Sequence, residues 1–457
     1  MKRCFIVWLT CGCGLFAMGQ EPEPILPVVD TEIAARVGEV SADSIEHYIR
    51  TLAAFETRHS LSDTVSDHRG IGAARRWVAA KLRSFKVGDG STMHVSLDPF
   101  EVKPGPRTPR VPRPVVMKNV VARLQGTNPA DTRVILITGH LDSRNSDVMD
   151  AEGVAPGAND DASGVAVVIE LARILAAHPL PCEVIFMAVQ GEEQGLLGAR
   201  DMAGKLKQQQ ANLVAVFNND IVGNTLASET GKRNDRTVRI FSEMIPAYET
   251  DEQAAARQAL KAENDSPSRQ LARYIKMVAE AYLDSFTVTL NARPDRFLRG
   301  GDHTPFSQLG FSAVRVTEFH ENFMHQHQNV RVEEGNRYGD LPEFVDFPYA
   351  ANVARVNLAA IASLGKAPGA PESVELKINL GNTTHLQWSA PTSGPPPKGY
   401  YVLLRETFEP FWTHRFFVDG TSVALPFSKD NYFFAVQAVG ADGHTSVPQM
   451  PVPVRDH

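Results

Sequence analysis

The sequence predicts an α/β protein, a mostly parallel sheet flanked by helices, followed by an all-β sandwich. Three observations carry that expectation. Between residues 118 and 217, short apolar runs alternate with stretches of helical period, and strand–helix–strand order brings right-handed crossovers and parallel pairing. The apolar runs end in loops bearing histidine or carboxylates, where open α/β sheets place their ligand sites. After a Pro/Gly-rich break at Lys366–Pro371, about seven short alternating strands follow in about 90 residues, the texture of a sandwich.

At 457 residues the chain calls for two or three domains. An apolar content of 43% with 22% charge describes an ordinary globular protein. The formal charge of −7 and the lack of a basic stripe exclude a nucleic-acid footprint. Met1-Lys2-Arg3, an apolar run through Phe16 and Ala17-Met18-Gly19 read as a secretory signal peptide, too short for a membrane span. A secreted or periplasmic protein is therefore expected. Of four cysteines, Cys4, Cys11 and Cys13 leave with the signal, and Cys182 alone remains as a buried thiol without a disulfide.

The expected order is a signal at 1–19, a loose leader at 20–40, an α/β domain at 41–365, a linker at 366–371 and the sandwich at 372–457. Ser41 caps a helix with Ile45, Ile49, Leu52 and Phe55 on one face. Gly70–Phe85 is a second amphipathic helix, with Ala74, Val78, Leu82 and Phe85 inward. Pro104–Pro114, rich in proline and arginine, is an extended loop. Lys118–Leu124 alternates as a strand, and Arg133–Thr138 is a buried one. Ser163–Ala177 is helical, Cys182–Val189 a buried strand, Gly195–Gln209 a helix and Leu213–Phe217 a strand. Residues 227–300 form a polar helical insertion, with helices at 253–262 and 268–283. Ser312–Thr317 is a strand, and Tyr349–Leu364 closes the domain as a helix behind Pro348.

The chemistry lies on the strand exits. His140-Leu-Asp142 follows the first buried strand, and alternation puts i and i+2 on one side. Asp160-Asp161 precedes a helix, Glu192-Glu193 follows the next strand, and Asp220 follows another. Imidazole and carboxylate suit a dication such as zinc. Of the Glu192-Glu193 pair, one acid holds metal and the other takes the proton from water acidified by it. Asp142 would orient His140. Read singly, these residues are caps or polar loop residues; in order on successive strand exits they form a metal centre.

With those residues the chain resembles the zinc-dependent exopeptidases typified by secreted bacterial leucyl aminopeptidase, a clan that includes glutamate carboxypeptidase and the transferrin receptor ectodomain. The likeness covers roughly Asn119–Leu364, with spacings of 20, 33 and 27 residues between His140, Asp160, Glu193 and Asp220. It implies two Zn²⁺ ions bridged by Asp160, with His140 and Asp220 on one and Glu193 and a late histidine on the other. Glu192 would be general base and acid, and the Asp160–Asp161 peptide is often cis in that family. His325 is the expected fifth ligand, because Asn322-Phe-Met-His325 sits where the family has Asn-Tyr-His; His327 is the alternative. Asp302 and His303 correspond to a segment bordering the substrate pocket. The sandwich resembles a fibronectin type III domain, with Trp388 in its core and Tyr432 late in its strands. It either packs on the catalytic domain, contacts surface material or polymer, or acts as a spacer.

The resemblance implies an aminopeptidase acting on peptides or proteins, with a free α-amino group held near the second ion. The alternatives are a carboxypeptidase, with Arg296 and Arg299 on the terminal carboxylate, a one-zinc glutaminyl cyclase, or a non-enzymatic binding protein.

Overall fold

Arg133 to His140 forms a strand buried at every residue. Continuous apolar character of this kind belongs to a strand covered on both faces. A computed structural model describes residues 21–26 and 28–455, so the expected signal peptide lies outside the described residues.

The chain opens with β1 (Glu23–Pro24), α1 (Thr31–Gly38), α2 (Ala42–Ala53) and α3 (Gly70–Arg83). There follow β2 (Met93–Val102), β3 (Val115–Leu124), β4 (Arg133–His140), α4 (Ala162–Ala177), β5 (Glu183–Val189), α5 (Leu197–Gln208) and β6 (Asn212–Asn219). Then come β7 (Thr237–Ser242), α6 (Asp251–Leu260), α7 (Pro267–Tyr282), β8 (Thr287–Ala292), α8 (Thr304–Ser307) and β9 (Ala313–Glu318). A small hairpin of β10 (Arg331–Glu333) and β11 (Asn336–Tyr338) leads to the long α9 (Phe347–Lys366). The last part holds β12 (Glu372–Ile378), β13 (Thr384–Ser389), β14 (Gly399–Glu406), β15 (His414–Val418), β16 (Ser422–Leu425), β17 (Tyr432–Val439) and β18 (Val452–Arg455).

The main sheet has eight strands in the order β2-β3-β5-β4-β6-β9-β7-β8. It is mixed rather than mostly parallel. The central strands β5, β4, β6 and β9 run parallel, as do β7 and β8. The β2–β3, β3–β5 and β7–β9 pairs are antiparallel. Segment 227–300, expected as a helical insertion, also supplies β7 and β8, which extend one end of the sheet. Helix α4, buried along almost its whole length, and α9 pack with β4, β6 and the other inner strands into one core.

Two glycines decide how closely the site can be assembled. A Cβ on Gly139 would lie 2.5 Å from the backbone of Gly164, and one on Gly164 would lie 2.2 Å from the Asn219 carbonyl. Side chains at either position would push α4 off β4 and β6. Asp161, the N-cap of α4, accepts from Gly164 N–H at 2.9 Å, Ile221 N–H at 3.2 Å and His140 N–H at 2.9 Å. One buried carboxylate thereby ties two strand exits to the start of α4.

The C-terminal part is a sandwich of two four-stranded sheets, β16-β13-β12-β18 and β1-β15-β14-β17. Trp388 lies in its core with Leu376, Tyr400, Val402 and Phe434, and Tyr432 packs against that core. It is packed on the α/β domain. Asp265 joins Arg273 of α7 and Arg405 of β14, each at 2.7 Å and each side chain no more than 3% exposed. Trp412 donates to Gln270 at 2.9 Å. Removing one member of such a buried pair costs about 3–5 kcal/mol, because its partner is left charged and dry. Linker residues Ala367 to Gly369 are buried, so they do not form a free tether. Residues 21–40, expected as a loose leader, carry β1 on the sandwich and α1, whose Ile33 and Val37 enter the catalytic core. Among the described residues no helix is long and apolar enough to cross a membrane.

Candidate metal centre

His140 closes β4 with its side chain 2% exposed. Its Nδ1 lies 2.9 Å from the Asp142 carbonyl. That carbonyl can only accept, so Nδ1 carries the proton and Nε2 is left for a metal. Nε2 faces Asp160 Oδ1 at 2.9 Å and Asp220 Oδ1 at 3.8 Å. The other oxygen of Asp160, Oδ2, faces His327 Nε2 at 2.8 Å, and Glu193 Oε1 faces the same nitrogen at 2.9 Å. Two donor triads therefore share Asp160: His140, Asp160 and Asp220, and Asp160, Glu193 and His327, with ligand atoms within 4.8 Å of one another in each. The Asp160–Asp161 peptide is cis.

Neighbouring groups set the carboxylates. Asp142 accepts from the N–H groups of Gly191, Glu192 and Glu193 at 3.0, 3.2 and 3.1 Å, which fixes the glutamate loop from beneath. Asp340 accepts from Asn159 and Asp160 N–H at 2.7 Å each. Arg315 pairs with Asp220 at 2.7 Å. Burial opposes the Asp220 charge, but Arg315 and His140 hold its carboxyl down at about 2. Burial and the charges of Glu193, Asp220 and Asp302 outweigh the pull of His140 and push Glu192 well above the usual carboxylate range. A raised pKa suits a group that takes up and returns a proton. Burial works against a charged His140, yet Asp161, Asp160 and Asp220 raise its imidazole well above the ordinary value.

The structure brings His140, Asp160, Glu192, Glu193 and Asp220 to one cleft of about 310 Å³, with Asp142 buried beneath it. The expected fifth donor is corrected. His325 stacks on Phe344, ring centroids 3.7 Å apart and planes within 8°, and burial with Arg337 nearby lowers it to about 4. His327 takes the place at the cluster. Its left-handed backbone, φ 56°, is uncommon for a residue with a side chain and is tolerated where function over-determines it. Asp302 and His303 are corrected as well: both are buried and neither lines the cleft. His303 Nε2 bonds the Pro294 carbonyl at 2.7 Å, and burial beside Asp142 and Asp220 pushes Asp302 up to about 8.

Arg144, Arg315 and Asp340 escaped the sequence reading. Arg144 Nε pairs with Glu193 Oε2 at 2.9 Å, and its Nη2 donates to His327 Nδ1 at 2.7 Å. Arg144 directly follows the His140–Ser143 run, and that adjacency was the one available signal.

Fold and donor set together define a metal-dependent hydrolase centre. The family model for peptidase family M28 matches residues 119–331. The chain is 45% identical over 431 residues to a probable zinc metalloprotease of Leptosphaeria maculans, covering 94% of this chain and 99% of that one. A probable zinc metalloprotease of Pyricularia oryzae is 43% identical, with 93% and 85% covered. The aminopeptidase LapA of Legionella pneumophila shares the fold at a TM-score of 0.50 and 17% identity, with 75% of this chain and 76% of that one covered. The chain belongs to peptidase family M28 and is a zinc metallopeptidase.

Zinc fits the residues present. Two imidazoles and three carboxylates are a borderline-hard donor set, and Asp160 presents a separate oxygen to each histidine.

Proposed function

We propose that the chain is an aminopeptidase with two zinc ions, releasing N-terminal residues from peptides. His140, Asp160 and Asp220 would hold one ion, and Asp160, Glu193 and His327 the other. The observation that carries the reading is Asp160, whose two oxygens each serve one triad. Zinc so bound supplies Lewis-acid polarisation of a carbonyl and acidification of water. Glu192 lines the cleft without a metal-ligand position of its own. Its raised proton affinity lets it accept a proton from attacking water and pass it to the leaving amine. Asp142 holds Glu192 and Glu193 in register through their backbone N–H groups and bonds His140 through its carbonyl.

A carboxypeptidase is the second reading, because Arg296 and Arg299 line the cleft. Arg296 is already paired with Asp295 at 3.2 Å and Glu321 at 3.0 Å, which leaves Arg299 alone for that task. Fluorogenic aminoacyl amides, assayed with and without chelator, decide between them. Chelator-sensitive release of N-terminal residues supports the aminopeptidase; release only from C-termini overturns it. Metal analysis giving one zinc per chain would remove the two-ion centre. We also propose export, supported by the Met1–Gly19 pattern and tested by sequencing the N-terminus of protein recovered from the medium or periplasm.

A further inference from the structure

Four arginines line the cleft, Arg110, Arg144, Arg296 and Arg299, in a chain whose formal charge is −7. The four carboxylates that line it, Asp160, Glu192, Glu193 and Asp220, are the proposed ligands and the proton carrier. Two dications would balance those four carboxylates, and Asp295 and Glu321 beside Arg296 offset two of the four guanidinium charges, so the loaded cleft keeps about two units of positive charge, enough to draw in anions. Arg144 and Arg296 are committed to Glu193 and to Asp295 and Glu321. Arg110 and Arg299 have no carboxylate partner among the described residues. Arg110 comes from the Pro/Arg-rich loop between β2 and β3. It spends one N–H on the Glu193 carbonyl at 2.6 Å, and its remaining donors are free. Arg299 comes from the loop after β8 and reaches His327 Nδ1 at 3.4 Å.

Resting on the peptidase reading, we propose that Arg110 and Arg299 select substrates carrying a carboxylate within one residue of the scissile bond. That carboxylate belongs to an acidic side chain or to the free C-terminus of a dipeptide. A guanidinium fork facing a carboxylate in a half-enclosed site is the arrangement that discriminates acid from amide.

The test uses the zinc-loaded full chain. Glu-Ala-amide is compared with Gln-Ala-amide for the side-chain source, and Leu-Ala with Leu-Ala-amide for the terminal source. The carboxylate member of at least one pair should show kcat/KM roughly tenfold higher at low salt. The advantage should shrink as ionic strength rises and fall toward unity in Arg110→Gln and Arg299→Gln. Calorimetric titration with L-glutamate and L-glutamine gives a readout without turnover, and glutamate should bind roughly tenfold tighter. Equal rates within both pairs, or an advantage that survives both substitutions, overturns the selection. If no peptide is cleaved, the peptidase reading fails, and the glutamate-to-glutamine ratio still decides the arginine assignment.

Discussion

The His140 half and the His327 half of the centre share one aspartate and differ in almost everything else. His140 ends a buried strand, its side chain is 2% exposed, and its Nδ1 gives a proton to a backbone carbonyl. His327 sits on a loop at 15% exposure, and its Nδ1 faces the donor groups of Arg144 and Arg299. Arginine only donates. With Arg144 on Nδ1, a ring proton belongs on Nε2, between Asp160 and Glu193. A cation entering either half must displace an Nε2 proton; in the His140 half the Nδ1 proton already rests on a carbonyl, whereas in the His327 half Arg144 must also move before Nδ1 can carry one. One shared carboxylate does not make the two positions equivalent, and the loop-borne half is expected to empty first under chelator.

The strongest way to break the picture lies between the halves. Glu192→Gln should keep both zinc ions and lose about two to four orders of magnitude in kcat; a variant with wild-type turnover removes Glu192 from proton transfer. Next come the two candidate histidines. His327→Ala should lower bound zinc toward one per chain and kcat/KM by about a hundredfold or more, whereas His325→Ala should keep both ions, and metal analysis of the two variants would reverse the assignment if it gave the opposite pattern. Asp142→Asn sharpens the comparison, since Asp142 bonds His140 through its carbonyl and the Glu193 loop through its side chain. Zinc affinity and activity should fall by about 10–100-fold, with the loss concentrated in the Glu193 half in a chelator titration, because the backbone carbonyl on His140 survives the substitution.

The smallest effect is on pH. In protein stripped of zinc, His140 is raised, and burial beside like charges lifts Asp340 to about 7 and Asp302 to about 8. Groups whose pKa is raised on folding stabilise fully below their unfolded pKa, and that stability is lost as pH rises through the folded value. The Asp220 carboxyl, held near 2, contributes a constant amount above pH 5. The melting temperature of the stripped protein should therefore fall by roughly a few degrees between pH 6 and 9. The zinc-loaded protein should change less, since bound cations favour the ionised carboxylates. Parallel melting curves would contradict this.

How much of this was legible follows the same divide. His140, Asp160, Glu193 and Asp220 leave apolar strands or enter an apolar helix, and those periodicities survive without tertiary information. His327 ranks only second in the sequence because residues 319–330 carry no repeating pattern, so nothing local separates two histidines two positions apart. Phe344 captures one ring, and a left-handed turn delivers the other. Asp302 and His303 look polar and accessible in sequence, yet the chain tucks both behind the cleft. Strands β7 and β8 lie hidden in a polar segment because β8 is the sheet's edge and both carry polar residues at partly exposed positions, so neither reads as a continuous apolar run. The sandwich was visible from alternation alone, whereas its docking through Asp265, Arg273 and Arg405 joins residues about 140 positions apart and leaves no local trace.

The two-residue strand Glu23–Pro24 pairs with Arg415 and His414, and Asp30 just beyond it accepts from His444 Nε2 at 3.1 Å. During synthesis residues 23–30 must therefore wait for partners made about 390 residues later, roughly 20 to 80 s at ordinary ribosomal rates. Through that interval the edge of β15 does not yet exist and the opening segment has nowhere to settle. Residues 414–444 lock residues 23–30 down, so the seam between the two domains closes only after these sandwich strands have been made.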